Sequence, residues 1–222
     1  MRRTHFEPGG VPEYRSELLD HFFTITHFAC SCNKHISTIL KNFQGFRIQG
    51  GQGAGKSSFF RFLAGNDEWF SDDLRRLDDE NIYRRMMGHW IIEMSEMIAT
   101  VNAKNVEEIK SFLSRQKDTY KVPYDKFPAD RPRQCVFAGT SNKLDFLPHD
   151  RSGNRRFLPI RIDPDKAEVH ILANQQTSRA YFNQLWAEIM VIYRSGEYSL
   201  QLSKEASKQL KQEQTTFMPE NT

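Results

Sequence analysis

Apolar residues follow two different spacings along this chain. Short continuous runs occur at His89-Trp90-Ile91-Ile92, at Gln134-Cys135-Val136-Phe137-Ala138-Gly139 and at Phe157-Leu158-Pro159-Ile160-Arg161-Ile162. Runs of that length without polar alternation predict strands buried on both faces. Helical spacing marks Lys56 to Leu63, Glu80 to Arg85, Asn105 to Leu113 and Arg179 to Tyr193. In the last of these, Tyr181, Phe182, Leu185, Trp186, Ile189 and Ile192 share one broad face. Strands alternating with helices imply an α/β fold, a parallel sheet flanked by helices. Phe46-Arg47-Ile48 predicts one more strand, but it is poor in apolar residues, which suits a position near a sheet edge or an atypical segment. No internal repeat is present.

The ends are less regular. A turn-rich Glu7-Pro8-Gly9-Gly10-Val11-Pro12 precedes an amphipathic stretch from Tyr14 to Thr26, and His27, Cys30, Cys32 and His35 follow in nine residues. Four ligands from so short a piece rarely converge on a tetrahedral metal, so a thiol-bearing segment without metal is expected. From Gln209 the chain is polar and is expected to fray. The division that results is an N-terminal extension over residues 1–45, a core over 46–200 and a polar tail over 201–222.

Composition narrows the class. A chain of 222 residues with 38% hydrophobic and 27% charged residues can bury one substantial core and belongs with soluble globular proteins. No apolar run approaches the roughly 20 residues needed to span a bilayer, so no membrane partner is expected. Three cysteines offer no disulfide framework, and with no apolar run behind Arg2 and Arg3 the expected location is cytoplasmic. The net charge of +3 says little, but its distribution is uneven: Asn66 to Glu108 is acid-rich, and Lys110 to Arg161 is basic. A solvated charged face would look the same; a polyanionic partner would also account for it.

The most specific signal is Gly50-Gly51-Gln52-Gly53-Ala54-Gly55-Lys56-Ser57, followed by Ser58. It has the full pattern of a phosphate-binding loop between a strand and a helix. Gly50 and Gly55 permit backbone angles closed to other residues, so successive N–H groups can face phosphate. Lys56 can reach the β and γ phosphates, Ser57 can ligate Mg²⁺, and the helix that begins here turns its positive end toward the anion. Hydrolysis further needs an acid at the end of a buried strand. Glu93, after Trp90-Ile91-Ile92, meets that need as a metal or water ligand, with Glu96 as a second acid. Asn142 ends the strand Phe137-Ala138-Gly139-Thr140-Ser141 where a γ-phosphate could be sensed. Arg155 and Arg156 on the Gly153-Asn154 turn can stabilise transition-state charge, across a subunit boundary if the protein assembles.

In this order the motifs resemble the virulence-associated protein E family, phage- and plasmid-borne ATPases similar to superfamily 3 helicases. The resemblance also rests on Trp69-Phe70-Ser71-Asp72-Asp73-Leu74, His89-Trp90-Ile91-Ile92-Glu93-Met94-Ser95-Glu96-Met97, Ile109-Lys110-Ser111-Phe112-Leu113-Ser114 and Pro132 to Asn142. It implies ATP and Mg²⁺ as cofactors, a hexameric ring with Arg155 or Arg156 completing the neighbour's site, and DNA, single-stranded, as partner. It also implies that the DNA-contacting segment lies between Glu96 and Asn142. There Lys110, Arg115, Lys117, Tyr120, Lys121, Tyr124 and Lys126 interleave positive charge with aromatic rings, a mixture that holds a strand without reading its sequence. Members commonly carry a longer, often primase-like region before the core, which residues 1–45 do not resemble. The expected function is an ATP-hydrolysing, helicase-like protein in the replication of a mobile element. Two alternatives stay open: a non-catalytic, truncated paralogue that binds nucleotide and a helicase partner, and a small-molecule kinase.

Overall fold

The structure, a computed structural model, describes residues 45–74, 82–95, 103–142, 157–162, 169–196 and 202–218. Its strands are β1 (Gly45–Gln49), β2 (Phe70–Ser71), β3 (Ile91–Ser95), β4 (Lys117–Tyr120), β5 (Ala129–Pro132), β6 (Val136–Ser141) and β7 (Phe157–Arg161). Its α-helices are α1 (Lys56–Leu63), α2 (Ile82–Met86), α3 (Ala103–Ser114), α4 (Gln175–Ser195) and α5 (Lys204–Thr216). Five strands form one parallel sheet in the order β2-β3-β6-β1-β7, while β4 and β5 pair antiparallel beside it.

The apolar runs form the sheet because successive side chains pass to opposite faces and both faces are covered. Ile91, Val136, Ala138, Leu158 and Ile160 enter one core with Phe60 and Leu63 of α1 and Phe182 and Ile189 of α4. Ile92, Met94, Phe137 and Phe157 enter the other with Ile82 of α2 and Ile109, Phe112 and Leu113 of α3. Two indoles close the C-terminal end of α1: Trp186 Nε1 donates to the Leu63 carbonyl at 2.8 Å and Trp90 Nε1 to that of Ala64 at 3.1 Å. These carbonyls are among the acceptors a helix leaves without partners of its own.

Several expectations shift. β1 lies near the sheet's edge, as its low apolar content suited, though one strand in from it: it pairs with β6 on one side and the edge strand β7 on the other, so backbone ladders on both sides support it. The strand from His89 begins instead at Ile91 and continues through Glu93 to Ser95, so the acid lies within the strand. The face of α4 is narrower than its periodicity predicted, because Tyr181 and Ile192 are exposed. The polar stretch from Gln209 to Thr216 does not fray; it is the latter part of α5, which packs on β7. Ala206, Leu210 and Gln214 recur every fourth residue along a narrow buried stripe, and Gln214 Nε2 donates to the Phe157 carbonyl at 2.7 Å. The segment holding His27, Cys30, Cys32 and His35 lies outside the described residues.

Candidate functional site

The glycine loop leaves the C-terminal end of β1 between its two neighbours, the crevice where open parallel sheets receive ligands. Its backbone needs glycine at Gly53 (φ 81°) and Gly55 (φ 75°), both in the left-handed region. Gly50, expected to need such an angle, does not have one; a Cβ there would instead stand 2.5 Å from Ile162 Cγ1. Gly55 caps α1 without a side-chain hydrogen bond, so the cap residue takes up none of the helix's first-turn donors. The segment before α4 leans on the loop from outside. A Cβ on Gly55 would collide with Ile171, and His170 Nε2 stands 2.9 Å from the Gly53 carbonyl. Leu172 N–H donates to His170 Nδ1 at 3.2 Å, which leaves the ring proton on Nε2 to donate to that carbonyl.

Four of the residues singled out by sequence meet at this loop. Lys56 Nζ donates to the Gly50 and Gly51 carbonyls at 2.8 and 2.7 Å and to Asn142 Oδ1 at 2.8 Å. Ser57 Oγ donates to Glu93 Oε1 at 2.8 Å. Glu93 is fully buried, and a second donor, Thr140 Oγ1, reaches the same Oε1 at 2.6 Å, while Oε2 has no hydrogen-bond partner. Sequence reasoning did not single out Thr140, since the contact depends on β3 pairing with β6 so that Glu93 lies opposite Ala138. Alternation along β6 then gives Thr140 the same face two residues on. His170 and Ile171 were also missed, because only folding brings them to the loop. Gln52, Ala54 and Ser58 belong to the loop and the first turn of α1; Glu96, Arg155 and Arg156 lie outside the described residues.

The basic and aromatic residues divide into three groups. Lys110 is buried on the face of α3 that also carries Ile109 and Leu113, so it cannot serve as the exposed DNA contact expected of it. Arg115, Lys117 and Tyr120 are exposed or half-buried, but each has an internal partner. Arg115 donates to the Tyr83 hydroxyl, Lys117 pairs with Asp130, and Tyr120 stacks on Tyr83 at 5.5 Å. Lys121, Tyr124 and Lys126 are exposed in the turn between β4 and β5, with Phe127, which sequence reasoning passed over. Lys126 Nζ stands 5.6 Å from the Phe127 ring centre.

Among the described residues two titratable groups are strongly shifted. Asp67, after α1, accepts hydrogen bonds from Arg61 and Arg179, which hold its carboxyl down at about 2. Burial pushes the Cys135 thiol up to about 12, so it is not a nucleophile at neutral pH. No helix among the described residues is long and apolar enough to cross a membrane.

The family model of the virulence-associated protein E-like domain matches residues 34–219, nearly the whole chain. The chain belongs to that family. No curated protein matches it in sequence. Among solved structures its fold is similar to the apo structure of the NrS-1 C-terminal region (305–718), at 17% identity and a TM-score of 0.53. That match covers 92% of this chain and 47% of the other, so this family member spans about half the length of its solved neighbour. The A form of the same apo region is less similar, at 14% identity and a TM-score of 0.45, covering 91% of this chain and 39% of that one.

Proposed function

We propose that this chain binds ATP with Mg²⁺ at the glycine loop, hydrolyses it, and couples hydrolysis to single-stranded DNA in the replication of a mobile element. The observation that carries the reading is the convergence on the start of α1 of two hydrogen-bonded pairs, Lys56 with Asn142 from the end of β6 and Ser57 with Glu93 from β3. The donor set fits the metal: Mg²⁺ takes hard oxygen ligands, commonly one or two from protein with the rest from phosphate and water. Ser57 Oγ and Glu93 would hold it, and the buried Oε2 of Glu93, without a partner, is suited to that or to a water. The metal supplies neutralisation of charge on the phosphate oxygens.

The chain's own residues do the rest. Lys56 exchanges the Gly50, Gly51 and Asn142 oxygens for phosphate oxygens, and the uncapped start of α1 adds backbone donors. Asn142, released from Lys56, turns its amide toward the γ-phosphate and the attacking water. Thr140 holds Glu93 in one orientation throughout. Glu96 acts as a second acid, and Arg155 or Arg156 of a neighbouring copy completes the site in a hexameric ring. Lys121, Tyr124, Lys126 and Phe127 in the β4–β5 turn track the strand, offering charge to phosphates and rings to bases.

The test is steady-state ATP hydrolysis by the purified chain, with and without single-stranded DNA, for wild type and Glu93→Gln. DNA-stimulated turnover that is lost in the variant is the expected result. Nucleotide binding without turnover in either condition would replace this reading by a binding role, and acceleration by a small phosphoryl acceptor with no effect of DNA by a kinase.

A further inference from the structure

A cavity lies at the end of the sheet opposite the glycine loop. The glycine loop follows the C-terminal end of β1, whereas Trp90 and Cys135 directly precede β3 and β6, at the N-terminal ends of those strands. The cavity there has a volume of about 290 Å³, and its lining includes Trp69, Tyr83, His89, Trp90, Tyr120 and Arg131. Trp69, His89 and Trp90 belong to sequence motifs for which the phosphate chemistry has no use.

The walls are aromatic. Trp69, 47% exposed, meets Trp90 edge to face at 5.8 Å. Tyr83 and Tyr120 lie parallel, and the Arg131 guanidinium stands 5.4 Å from the Tyr120 ring centre. Two lining residues each hold a buried polar atom without a hydrogen-bond partner, His89 Nδ1 and Arg131 Nε. Buried polar atoms are almost always paired, so these two call for an acceptor or donor that a ligand would bring. Charge then narrows the ligand. Arg131 Nη2 already donates to Asp125 Oδ2 at 2.8 Å, and the nearby Arg133 is paired with Asp118. With both guanidinium charges compensated, the unpaired Nε–H suits a neutral acceptor better than a phosphate or carboxylate.

We propose that this cavity holds one nucleobase, stacked against its aromatic wall, with Arg131 Nε donating to a ring nitrogen or carbonyl oxygen. A base is flat, neutral and polar at its edge, the combination that the walls and the two unpaired atoms require. It can come from a free nucleoside or from a strand. The hairpin that supplies Tyr120 and Arg131 also carries the exposed Tyr124, Lys126 and Phe127 in its turn, which favours the strand. That form of the proposal rests on the DNA-coupled reading above; the cavity's affinity for a base does not.

The experiment follows tryptophan fluorescence of the full chain, since Trp69 and Trp90 line the cavity. The probes are thymidine, an oligothymidylate and an abasic oligonucleotide of equal length. Saturable quenching by thymidine or by the oligothymidylate, but not by the abasic strand, is expected; a response to thymidine identifies a free-nucleoside site, and a response to the oligomer alone a strand site. Arg131→Lys, which keeps the charge but loses Nε, and Trp69→Ala should each weaken the response about tenfold. DNA-independent ATP hydrolysis should stay unchanged in both, and Arg131→Lys serves alone if Trp69→Ala fails to fold. The proposal is overturned if the abasic strand binds as tightly as the oligothymidylate and thymidine gives no response, or if Arg131→Lys leaves quenching undiminished. Loss of ATP turnover and of abasic-strand binding, with thymidine quenching intact, would sink the DNA-coupled reading and leave the cavity standing.

Discussion

At one end of the sheet Lys56, Ser57, Glu93, Thr140 and Asn142 meet through hydrogen bonds of 2.6 to 2.8 Å. At the other, Trp69, Trp90, Tyr83 and Tyr120 meet through ring contacts of 5.5 to 5.8 Å. The first end depends on direction: donors are aimed at particular oxygens, as Ser57 and Thr140 both are at Glu93 Oε1. The second depends on area and shape, which change gradually as a side chain is trimmed. The parallel sheet joins the two while keeping them a strand length apart, so a change at one end need not alter the other.

Three substitutions test that separation. The largest effect is expected for Lys56→Ala, with ATP turnover falling at least about a hundredfold, since Lys56 is placed for charge that develops in the reaction. Quenching by thymidine at the far end should persist; wild-type turnover in this variant would remove the loop from the chemistry. Next comes Arg133→Ala. Arg133 and Asp118 are almost wholly buried and joined by bonds of 2.9 and 2.6 Å, with the guanidinium 4.6 Å from the Phe112 ring centre. Stranding Asp118 should cost about 3–5 kcal/mol in a urea titration, and both ends should be lost together because the shared core fails. A cost near zero would mean that water reaches the pair.

The smallest effect is expected for Asp67→Asn. Its two arginine partners hold α1 and α4 together, but the carboxylate is 45% exposed, so the loss at neutral pH should be about 1 kcal/mol or less. The folded carboxyl sits at about 2 against an ordinary 3.8, so its stabilisation is complete above pH 4 and disappears as pH falls through about 2. Thermal melts of wild type and variant should therefore converge between those limits; a constant difference down to pH 2 would assign the effect elsewhere.

How far each part could be read from the sequence follows how local its cause is. The glycine loop was legible because Gly53, Gly55, Lys56 and Ser57 act within one short segment. Glu93 was legible because the apolar run before it implied a buried strand. Thr140 was not, since its contact with Glu93 needs the β3–β6 register, which no single segment encodes. The β4–β5 hairpin gave no alternation to detect: Lys117-Asp118-Thr119-Tyr120 buries only Asp118, a charged residue whose partner Arg133 lies beyond the second strand. α5 looked like tail because its stripe is one residue wide and ends in a buried glutamine.

The place of β1 has a consequence for how the molecule is made. It is the first described strand, yet both strands that flank it come late, β6 from Val136 and β7 from Phe157. Until the ribosome has delivered residues past 161, the glycine loop has no complete seat and Lys56 has no Asn142 to bind. Closing so long a stretch of chain is slow compared with forming a helix. α1 can therefore form early, but the nucleotide site is among the last features to be assembled, and an interrupted chain that lacks β7 carries the complete glycine motif with no pocket to set it in.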